Sequence, residues 1–421
     1  MMYAFVLGRV YTLSFAELIA ILQKRKQTFT VFAVSKEAVI IETEQPLDFE
    51  SLQRELGGII KIVKILDVVK KRERDSINFA LQNYFKPSRL KKDYFKEYIG
   101  KKQFGVSVYL LNPTIHALGE PKRLGMFIKK SLQSADISLR AVLPEFNSLA
   151  LASVAVTKNA LLQKGAEICV FAASERVFVG KTLSVQDFED YGRRDYQRPM
   201  RDEKQGMIPP KVAQIMLNLS HAPKGTSILD PFCGVGTIIQ EGILLGYKMA
   251  GSDISQTAIN NSEKNLEWFR NRYKVAPGKY RLETADVKDI SEIFNEVKFG
   301  AIVTEGSLGP MYSNLPRESD IEANFKALEA IWSLAFTQFK KVLEPGGRVV
   351  ICLPAYKTSD RDYRYFPSID FITKLGYTIV EHFPEQIRKI APFLQVTERG
   401  SMLYDRKDQI VAREILTFKH N

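Results

Sequence analysis

Cysteine and histidine are scarce in this sequence of 421 residues, which contains three cysteines and four histidines. Cys169, Cys233 and Cys352 are odd in number and far apart, and no histidine lies at ligand spacing from them. These facts argue against a disulfide framework and against a metal site. Long apolar runs are also missing: none approaches the roughly 20 residues of a membrane span, and the first residues do not resemble a signal peptide. The sequence therefore predicts a cytoplasmic protein with neither a metal nor a membrane contact.

Positive charge is present in excess, and the excess is confined to one region. The net charge is +12; residues 51–150 hold 19 lysines and arginines against 9 acidic residues, whereas residues 201–421 hold 29 against 27. A basic run is often only a solvated surface, but this concentration favours a surface that binds a polyanion. The residues predicted to form that surface are Lys91, Lys92, Lys122 and Arg123.

The length suggests two or three domains, and the pattern of apolar residues changes near residue 205. Residues 1–55 are predicted to form an α+β subdomain. Residues 56–185 are predicted to form a second α+β region, whose strands include Leu149–Thr157. The polar stretch over residues 186–205 is predicted to be a linker to a third unit, residues 206–421.

Residues 206–421 alternate short β-rich runs with helical segments. This alternation predicts a doubly wound, mostly parallel sheet with helices on both faces. The last β-rich run, Gln409–Phe418, follows Tyr377–His382 through a loop without a helix, so we expect the final strand to insert antiparallel to its neighbours. The pattern therefore predicts a seven-stranded Rossmann-type sheet of the kind found in methyltransferases.

A glycine-containing turn follows the first strand of this sheet. The segment Asp230–Thr237 reads Asp-Pro-Phe-Cys-Gly-Val-Gly-Thr and opens a helix, which is where this fold binds ligands. Gly234 and Gly236 have no Cβ, so the backbone can turn sharply and approach a ligand. An ordinary strand-to-helix turn can also contain two glycines, but here further acidic residues follow at the ends of the next strands.

Asp253 ends the second strand, where a carboxylate can accept hydrogen bonds from the two ribose hydroxyls of an adenosine-type ligand. Asp286 follows the third strand and can accept from the adenine amine. The spacing would also suit a dinucleotide, but Ile239 stands where its third glycine is expected. Three acids ending three successive strands favour S-adenosylmethionine as the cofactor. The residues predicted to bind it are Asp230, Phe232, Cys233, Gly234, Gly236, Thr237, Asp253, Ile254, Asp286 and Val287.

Three segments resemble the THUMP-domain tRNA guanine-N2 methyltransferases: Arg193–Tyr196 with Arg198-Pro199, Gly206–Ala213, and Asp230–Thr237. The resemblance covers about residues 60–420. It implies an RNA-binding N-terminal region with a THUMP-like module, a catalytic domain after it, and tRNA or another structured RNA as the partner. It leaves open whether the protein needs a small activator subunit. Unless they serve only to solubilise the linker, four arginines are predicted to contact phosphates: Arg193, Arg194, Arg198 and Arg201.

The end of the fourth strand departs from this family, which generally carries Asp/Asn-Pro-Pro-aromatic where this chain has Thr304-Glu305-Gly306-Ser307-Leu308. The exocyclic amine of guanine is a weak nucleophile, so an enzyme must accept its N–H hydrogens and hold the base. Glu305 is predicted to supply the carboxylate, and Gly306 or Ser307 a carbonyl. Leu308 or Tyr312 would replace the missing ring, and Tyr312 is the one we expect to cover a flipped base.

Four alternatives remain at this point. The altered motif could belong to an inactive site in an RNA-binding protein that keeps its cofactor as a structural element. The substrate could be rRNA guanine or, as a weaker alternative, DNA adenine. Cys233 could act as a nucleophile in pyrimidine methylation, but the fourth strand carries no partner cysteine, so a small buried side chain is the favoured interpretation.

Overall fold

Two β-sheets with their helices make up the computed structural model of the protein. It describes residues 1–70, 77–95, 102–112, 121–201, 207–310, 312–359, 362–406 and 409–421. The first sheet lies within residues 2–185 and the second within residues 227–420. Within the described ranges, none of the helices has the length and apolar character that crossing a membrane requires.

The first sheet has eight strands in the order β2-β3-β1-β4-β8-β7-β5-β6. Its 12-residue strand β4 pairs with β1 on one side and β8 on the other. The predicted division at residues 55 and 56 therefore falls inside one continuous sheet. The elements are β1 Met2–Leu7, α1 Tyr11–Lys24, β2 Phe29–Val34, β3 Ala38–Thr43, α2 Phe49–Glu55, β4 Ile59–Lys70, α3 Ile77–Tyr84, α4 Pro87–Tyr94, β5 Lys102–Leu110, α5 Pro121–Gln133, β6 Leu139–Val142, α6 Ser153–Lys158, α7 Leu161–Lys164, β7 Gly165–Ala172, β8 Arg176–Val185 and α8 Phe188–Tyr196.

The second sheet contains a path of seven strands in the order β11-β10-β9-β12-β13-β17-β15, and β14 and β16 pair with its flanks. β17 runs antiparallel to both β13 and β15, which confirms the predicted insertion of the final strand. The elements are α9 Pro210–Leu219, β9 Ser227–Asp230, α10 Thr237–Leu244, β10 Lys248–Asp253, α11 Gln256–Tyr273, β11 Tyr280–Thr284, α12 Ile290–Ile293, β12 Phe299–Thr304, α13 Glu318–Val342, β13 Leu343–Lys357, β14 Tyr363–Tyr365, α14 Asp370–Thr373, β15 Tyr377–Ile379, α15 Glu385–Ile390, β16 Met402–Tyr404 and β17 Val411–His420.

Alternate residues of the central strands feed two cores, because successive side chains of a strand point to opposite faces. Ile228 and Val303 pack with α9, α10 and α11 on one face, and Leu229 and Ile302 pack with α13 on the other. The helices between the strands thus bury both faces of the sheet, as the alternating sequence pattern predicts.

Helix α1 joins the two halves, because it packs against α9 and almost all of its side chains are buried. Its Glu17 carboxylate is fully buried and accepts hydrogen bonds from the backbone N–H groups of Gly57 and Gly58, both at 2.8 Å. It also accepts from Nδ2 of Asn218 on α9 at 2.7 Å. A buried carboxylate with three donors ties the N-terminal sheet to the helix that precedes the strands of the second sheet.

One local prediction was wrong. Leu149–Thr157 is not a strand: the segment enters helix α6, whose one fully buried residue, Val156, mimics the alternation of a half-buried strand. The polar stretch predicted as a linker contains helix α8, which Asp187 caps by accepting a hydrogen bond from the N–H of Asp190. Part of its polarity reflects ion pairs within the helix, because Arg193 and Arg194 both pair with Asp190.

Candidate active site

The three predicted acids lie along one edge of the second sheet. Asp230 and Asp253 end the neighbouring parallel strands β9 and β10, and Asp286 follows β11 by two residues. The register pairs Gly251 with Asp230 and Asp253 with Thr284, so the three strands reach this edge together. The carboxyl edge of a parallel sheet is where such folds bind their ligands.

The glycine turn has the open geometry that its sequence predicts. Gly234 and Gly236 both have positive φ, +51° and +84°. A Cβ at Gly234 would meet open space, whereas one at Gly236 would lie 2.4 Å from Oγ of Ser262. Gly236 is therefore required by the close packing of α10 on α11, and Gly234 leaves room for a ligand.

Asp253 connects this turn to the second strand. Its Oδ2 accepts a hydrogen bond from the N–H of Gly234 at 3.0 Å, and its Oδ1 accepts from the N–H of Ser255 at 2.9 Å. Each oxygen keeps a further lone pair, so the carboxylate can still accept from two ribose hydroxyls. The next side chain, Ile254, is 73% exposed, which leaves an apolar surface beside the carboxylate. This carboxylate and apolar surface fit the ribose and base of an adenosine-type cofactor.

Other predicted cofactor residues support the turn more than they face the ligand. Asp230 is buried, and its Oδ1 accepts from Oγ1 of Thr304 at 2.7 Å. Burial raises the pKa of Asp230 to about 7, with the nearby carboxylates of Asp253 and Glu305 adding to the effect. Asp230 therefore links the end of β9 to the end of β12. The ring of Phe232 packs on Trp332, and the Val287 side chain is buried. Asp286 is half-buried, and its Oδ1 accepts a hydrogen bond from the N–H of Lys288.

The Cys233 side chain is buried beneath the turn. Burial raises the pKa of its thiol well above the ordinary value, which disfavours the thiolate form that a nucleophile needs. This environment fits a small packing residue.

Glu305, which ends the fourth strand, has a partner that the sequence did not indicate. Arg413 of β17 donates from Nε to Oε1 of Glu305, while its Nη1 donates to Gln409 at 2.9 Å. Burial opposes the charge of Arg413, but the adjacent Glu305 carboxylate raises its pKa. Within the described residues, Oε2 of Glu305 accepts no hydrogen bond. One oxygen of the carboxylate is therefore held in place, and the other is left to accept a new donor.

The altered loop after Glu305 is shaped by helix α13. Gly306 has φ of +68°, and a Cβ there would lie 2.4 Å from the indole of Trp332. Gly309 has φ of +90°, and a Cβ there would lie 2.1 Å from the side chain of Asn324. Proline cannot adopt these positive φ values. The loop that stands in place of the family's Pro-Pro segment therefore has a different backbone conformation and packs against α13.

Tyr312 lies on the α13 side of this loop. Its ring packs edge-on against Tyr356, with the ring centroids 5.8 Å apart. Nδ2 of Asn324 donates to the hydroxyl of Tyr356, so the tyrosine pair is anchored to α13. Ser307 Oγ accepts from the N–H of Gly309 at 3.3 Å, which leaves the backbone carbonyls of residues 306 and 307 as the acceptors predicted for an amine.

Two of the four arginines predicted to bind RNA are buried inside the protein, which corrects those assignments. Arg194 donates from Nε and Nη2 to Glu241 of α10, and from Nη1 to Asp190. Arg198 donates from Nη1 to Oγ1 of Thr237. Neither guanidinium can reach an RNA phosphate, because both side chains are covered.

The other predicted RNA-binding residues lie at the surface to different degrees. Arg193 is half-buried and pairs with Asp190 at 3.2 Å, and Arg201 is exposed with its guanidinium 5.4 Å from the ring of Tyr196. The remaining four are exposed on helices α4 and α5, which pack against each other: Lys91, Lys92, Lys122 and Arg123.

The two halves meet in a crevice of about 340 Å³. Arg9 and Gly58 line it from the N-terminal half, and Lys211 and Tyr404 from the half that contains the second sheet. The ring of Tyr404 lies 5.8 Å from the guanidinium of Arg413, which binds Glu305. Tyr404 therefore lies between the crevice and the ion pair of Arg413 with Glu305.

Known proteins are similar to this chain in sequence and in fold. The RMKL-like methyltransferase domain family, UPF0020, matches residues 198–366. A tRNA (guanine(10)-N2)-dimethyltransferase of Pyrococcus abyssi is 30% identical over 212 residues, which are 50% of this chain and 53% of the relative. The "Probable tRNA (guanine(10)-N2)-dimethyltransferase" of Methanothermococcus thermolithotrophicus is 30% identical over 114 residues, 25% of this chain and 70% of the relative. The crystal structure of TrmN from Thermus thermophilus shares the fold across the full length of both chains, with a TM-score of 0.56 at 14% identity. The chain spans about half the length of the Pyrococcus relative.

Proposed function

We propose a function from one premise: the chain belongs to the THUMP-domain tRNA guanine-N2 methyltransferases, a family that uses S-adenosylmethionine. The proposed reaction is transfer of a methyl group to the exocyclic N2 amine of a guanosine in tRNA, in the cytoplasm. RNA binding is assigned to residues 56–185 and catalysis to residues 206–421.

One observation carries the proposal: the carboxylate of Glu305 stands at the same sheet edge as the cofactor acids. Thr304, the residue before it, donates to Asp230, which begins the glycine turn. Asp253 and Ile254 would hold the adenosine part of the cofactor, and when bound the cofactor supplies an electrophilic methyl group on a sulfonium. An acceptor for the amine next to a cofactor turn supports methylation of an amine.

The residues of the chain act on the amine through position and hydrogen bonding. We propose that Oε2 of Glu305 accepts one N2–H of guanine, and that the carbonyl of Gly306 or Ser307 accepts the other. This orientation turns the nitrogen lone pair toward the reacting carbon. Arg413 keeps Oε1 occupied and so fixes the direction of the free oxygen. Attack by N2 leaves an extra proton on that nitrogen, which passes to Oε2 or to water.

The basic helices support a structured RNA as the substrate. Lys91 and Lys92 on α4 and Lys122 on α5 are exposed and carry no salt bridge to a described residue. Free surface cations of this kind contact phosphates and orient the RNA without reading its sequence.

The proposal is tested with the purified full chain, labelled S-adenosylmethionine, and in vitro transcribed tRNA or rRNA fragments. Digestion and mass spectrometry should find N2-methylguanosine in tRNA, and the count of added methyl groups separates one methylation from two. Nucleosides from a deletion strain, compared with its parent, should lack the same product. Methylation confined to rRNA would favour the rRNA alternative. Complete inactivity of the chain on every RNA, with and without cell extract to supply an activator subunit, would favour a non-catalytic RNA-binding protein.

A further inference from the structure

The crevice between the two halves presents two cations that pair with no acidic residue in the described part of the chain. Arg9 is exposed, and Lys211 is half-buried with its Nζ 5.1 Å from the centre of the Tyr191 ring. Burial, and next the charge of Arg194, lower the pKa of Lys211. A negatively charged group in the crevice would stabilise the ammonium of Lys211, so the crevice favours an anionic ligand.

Two helices begin at the same crevice, and both lack a side-chain cap. Val10 precedes α1 and Pro209 precedes α9, and both residues line the crevice. The first turn of a helix carries a partial positive charge and N–H groups without intrahelical partners. The two helix starts therefore add to the positive potential of Arg9 and Lys211, as a site for a phosphate requires.

Unpaired acceptor oxygens line other parts of the crevice. Gln186 is 4% exposed; its Nε2 donates to the carbonyl of Gly57 at 2.7 Å, and its Oε1 accepts no hydrogen bond from a described residue. Asp405 accepts the hydroxyl of Tyr363 with Oδ2 at 2.8 Å, and its buried Oδ1 has no partner among the described groups. Buried acceptors without a donor are costly, so these oxygens favour a ligand that also carries N–H groups.

We propose that the crevice binds one unpaired nucleotide of the substrate RNA. The inference rests on the proposed function, since it takes that RNA as the ligand. The phosphate lies at Arg9 and Lys211, and the base packs on the apolar side chains of Val10, Ile60 and Val212. A cavity of about 340 Å³ suits a ligand of this size and is too small for a duplex.

A nucleotide combines a phosphate, a flat base with apolar faces, and N–H donors on the base edge. Guanine, adenine and cytosine carry an exocyclic amine that Gln186 or Asp405 can accept. Uracil has a single ring N–H between two carbonyls, which the Asp405 carboxylate would repel, so we expect an amine-bearing base. Tyr404 separates this nucleotide from the ion pair of Arg413 with Glu305, so it is a different nucleotide from the target guanosine.

The first test replaces Val10 in the full chain with the photoreactive residue p-benzoylphenylalanine and irradiates it with in vitro transcribed tRNA. Primer extension should stop at one unpaired, amine-bearing nucleotide other than the methylated guanosine. An abasic residue at that nucleotide should raise KM for tRNA by about 10- to 100-fold and change kcat much less, since one packed base is lost. The same photoreactive residue at Lys248, which begins β10, is the control. Absence of a crosslink, or crosslinks spread over paired nucleotides, would overturn the inference.

The second test uses Lys211→Met, which removes a charge, and Val10→Trp, which fills the crevice. Each should weaken tRNA binding by about 10-fold and leave S-adenosylhomocysteine affinity unchanged. Lys211→Met should also reduce the slope of log affinity against log salt by about 1, whereas Val10→Trp should not change the slope. Lys248→Met is the matched control, and thermal unfolding checks that each variant folds. Parental tRNA affinity in both folded variants would contradict the proposed subsite.

Calorimetry with GMP, AMP and inorganic phosphate distinguishes the source of the nucleotide. We expect each to bind the parent far more weakly than tRNA does. Tight GMP or AMP binding that Lys211→Met abolishes, with parental tRNA binding by that variant, would assign the crevice to a free nucleotide and overturn the RNA source. A parent that methylates tRNA without a crosslink overturns this inference alone, whereas a parent that methylates no RNA contradicts the proposed function and, with it, the inference.

Discussion

The cofactor side and the RNA side of this protein differ in how far apart their cooperating residues lie in the sequence. On the cofactor side, Asp253 accepts a hydrogen bond from the backbone of Gly234, 19 residues away, and both belong to one unit of strand β9, turn, helix α10 and strand β10. On the RNA side, Glu305 is held by Arg413, 108 residues away.

This difference explains why the sequence predicted one side better than the other. A tight turn from a parallel strand into its crossover helix has few possible conformations, so its glycines and acids indicate its geometry directly. An ion pair between distant strands leaves no local signal. Arginines near one another in the sequence can face RNA or fill the interior, and only packing distinguishes the two.

The largest effect is expected at Glu305. Glu305→Ala removes the proposed acceptor and should lower the methylation rate by about 10²- to 10⁴-fold, because a positioned polar group in the transition state is lost. Glu305→Gln keeps an acceptor oxygen and should retain partial activity. Single-turnover rates and S-adenosylhomocysteine affinity, measured together, separate catalysis from cofactor binding. A parental rate in Glu305→Ala would make the assignment wrong.

The next effect concerns stability and sharpens the distinction between buried and RNA-facing arginines. Arg194→Met leaves Glu241 buried without its partner and should lower the free energy of unfolding by about 3–5 kcal/mol. Denaturant unfolding measures it, with the half-buried Arg193→Met as the control. In the double variant with Glu241→Met, much of the loss should return. Normal stability combined with weakened tRNA binding would restore the phosphate-contact interpretation of Arg194.

Arg413→Met should lower the methylation rate by about 10- to 100-fold, since Glu305 loses the hydrogen-bonded cation that fixes its free oxygen. Arg413→Lys should recover part of the rate. The effect should appear in kcat rather than in KM for tRNA, because Arg413 acts through Glu305. If Arg413→Met lowered the rate equally in the Glu305→Ala background, the two side chains would act independently.

Asp253→Ala should weaken S-adenosylhomocysteine by about 1–3 kcal/mol, the cost of losing a hydrogen-bonding carboxylate. Calorimetry measures this directly, and NAD serves as the control ligand. Tight binding of NAD without binding of S-adenosylhomocysteine would contradict the cofactor assignment and the comparison built on it.

The smallest effects are expected on the basic surface. Lys91→Glu, Lys92→Glu and Lys122→Glu should each weaken tRNA binding modestly and reduce the slope of log affinity against log salt by about 1. Lys389→Glu on α15, where Lys389 pairs with Glu385, is a matched control outside this surface. Tight, salt-sensitive tRNA binding by an isolated 200–421 fragment would place the RNA site elsewhere.

The amino-acid sequence by itself determined the doubly wound catalytic sheet, its antiparallel last strand, and the order of its cofactor turn and acids. These features depend on residue periodicity and on turns between neighbouring strands, which are local properties of the chain. Only the tertiary structure decided that Arg198 faces the glycine turn, that Arg413 binds Glu305, and that Trp332 requires Gly306. Each of these contacts joins elements that are distant in the chain, and its energy depends on burial and on close packing that no local pattern encodes.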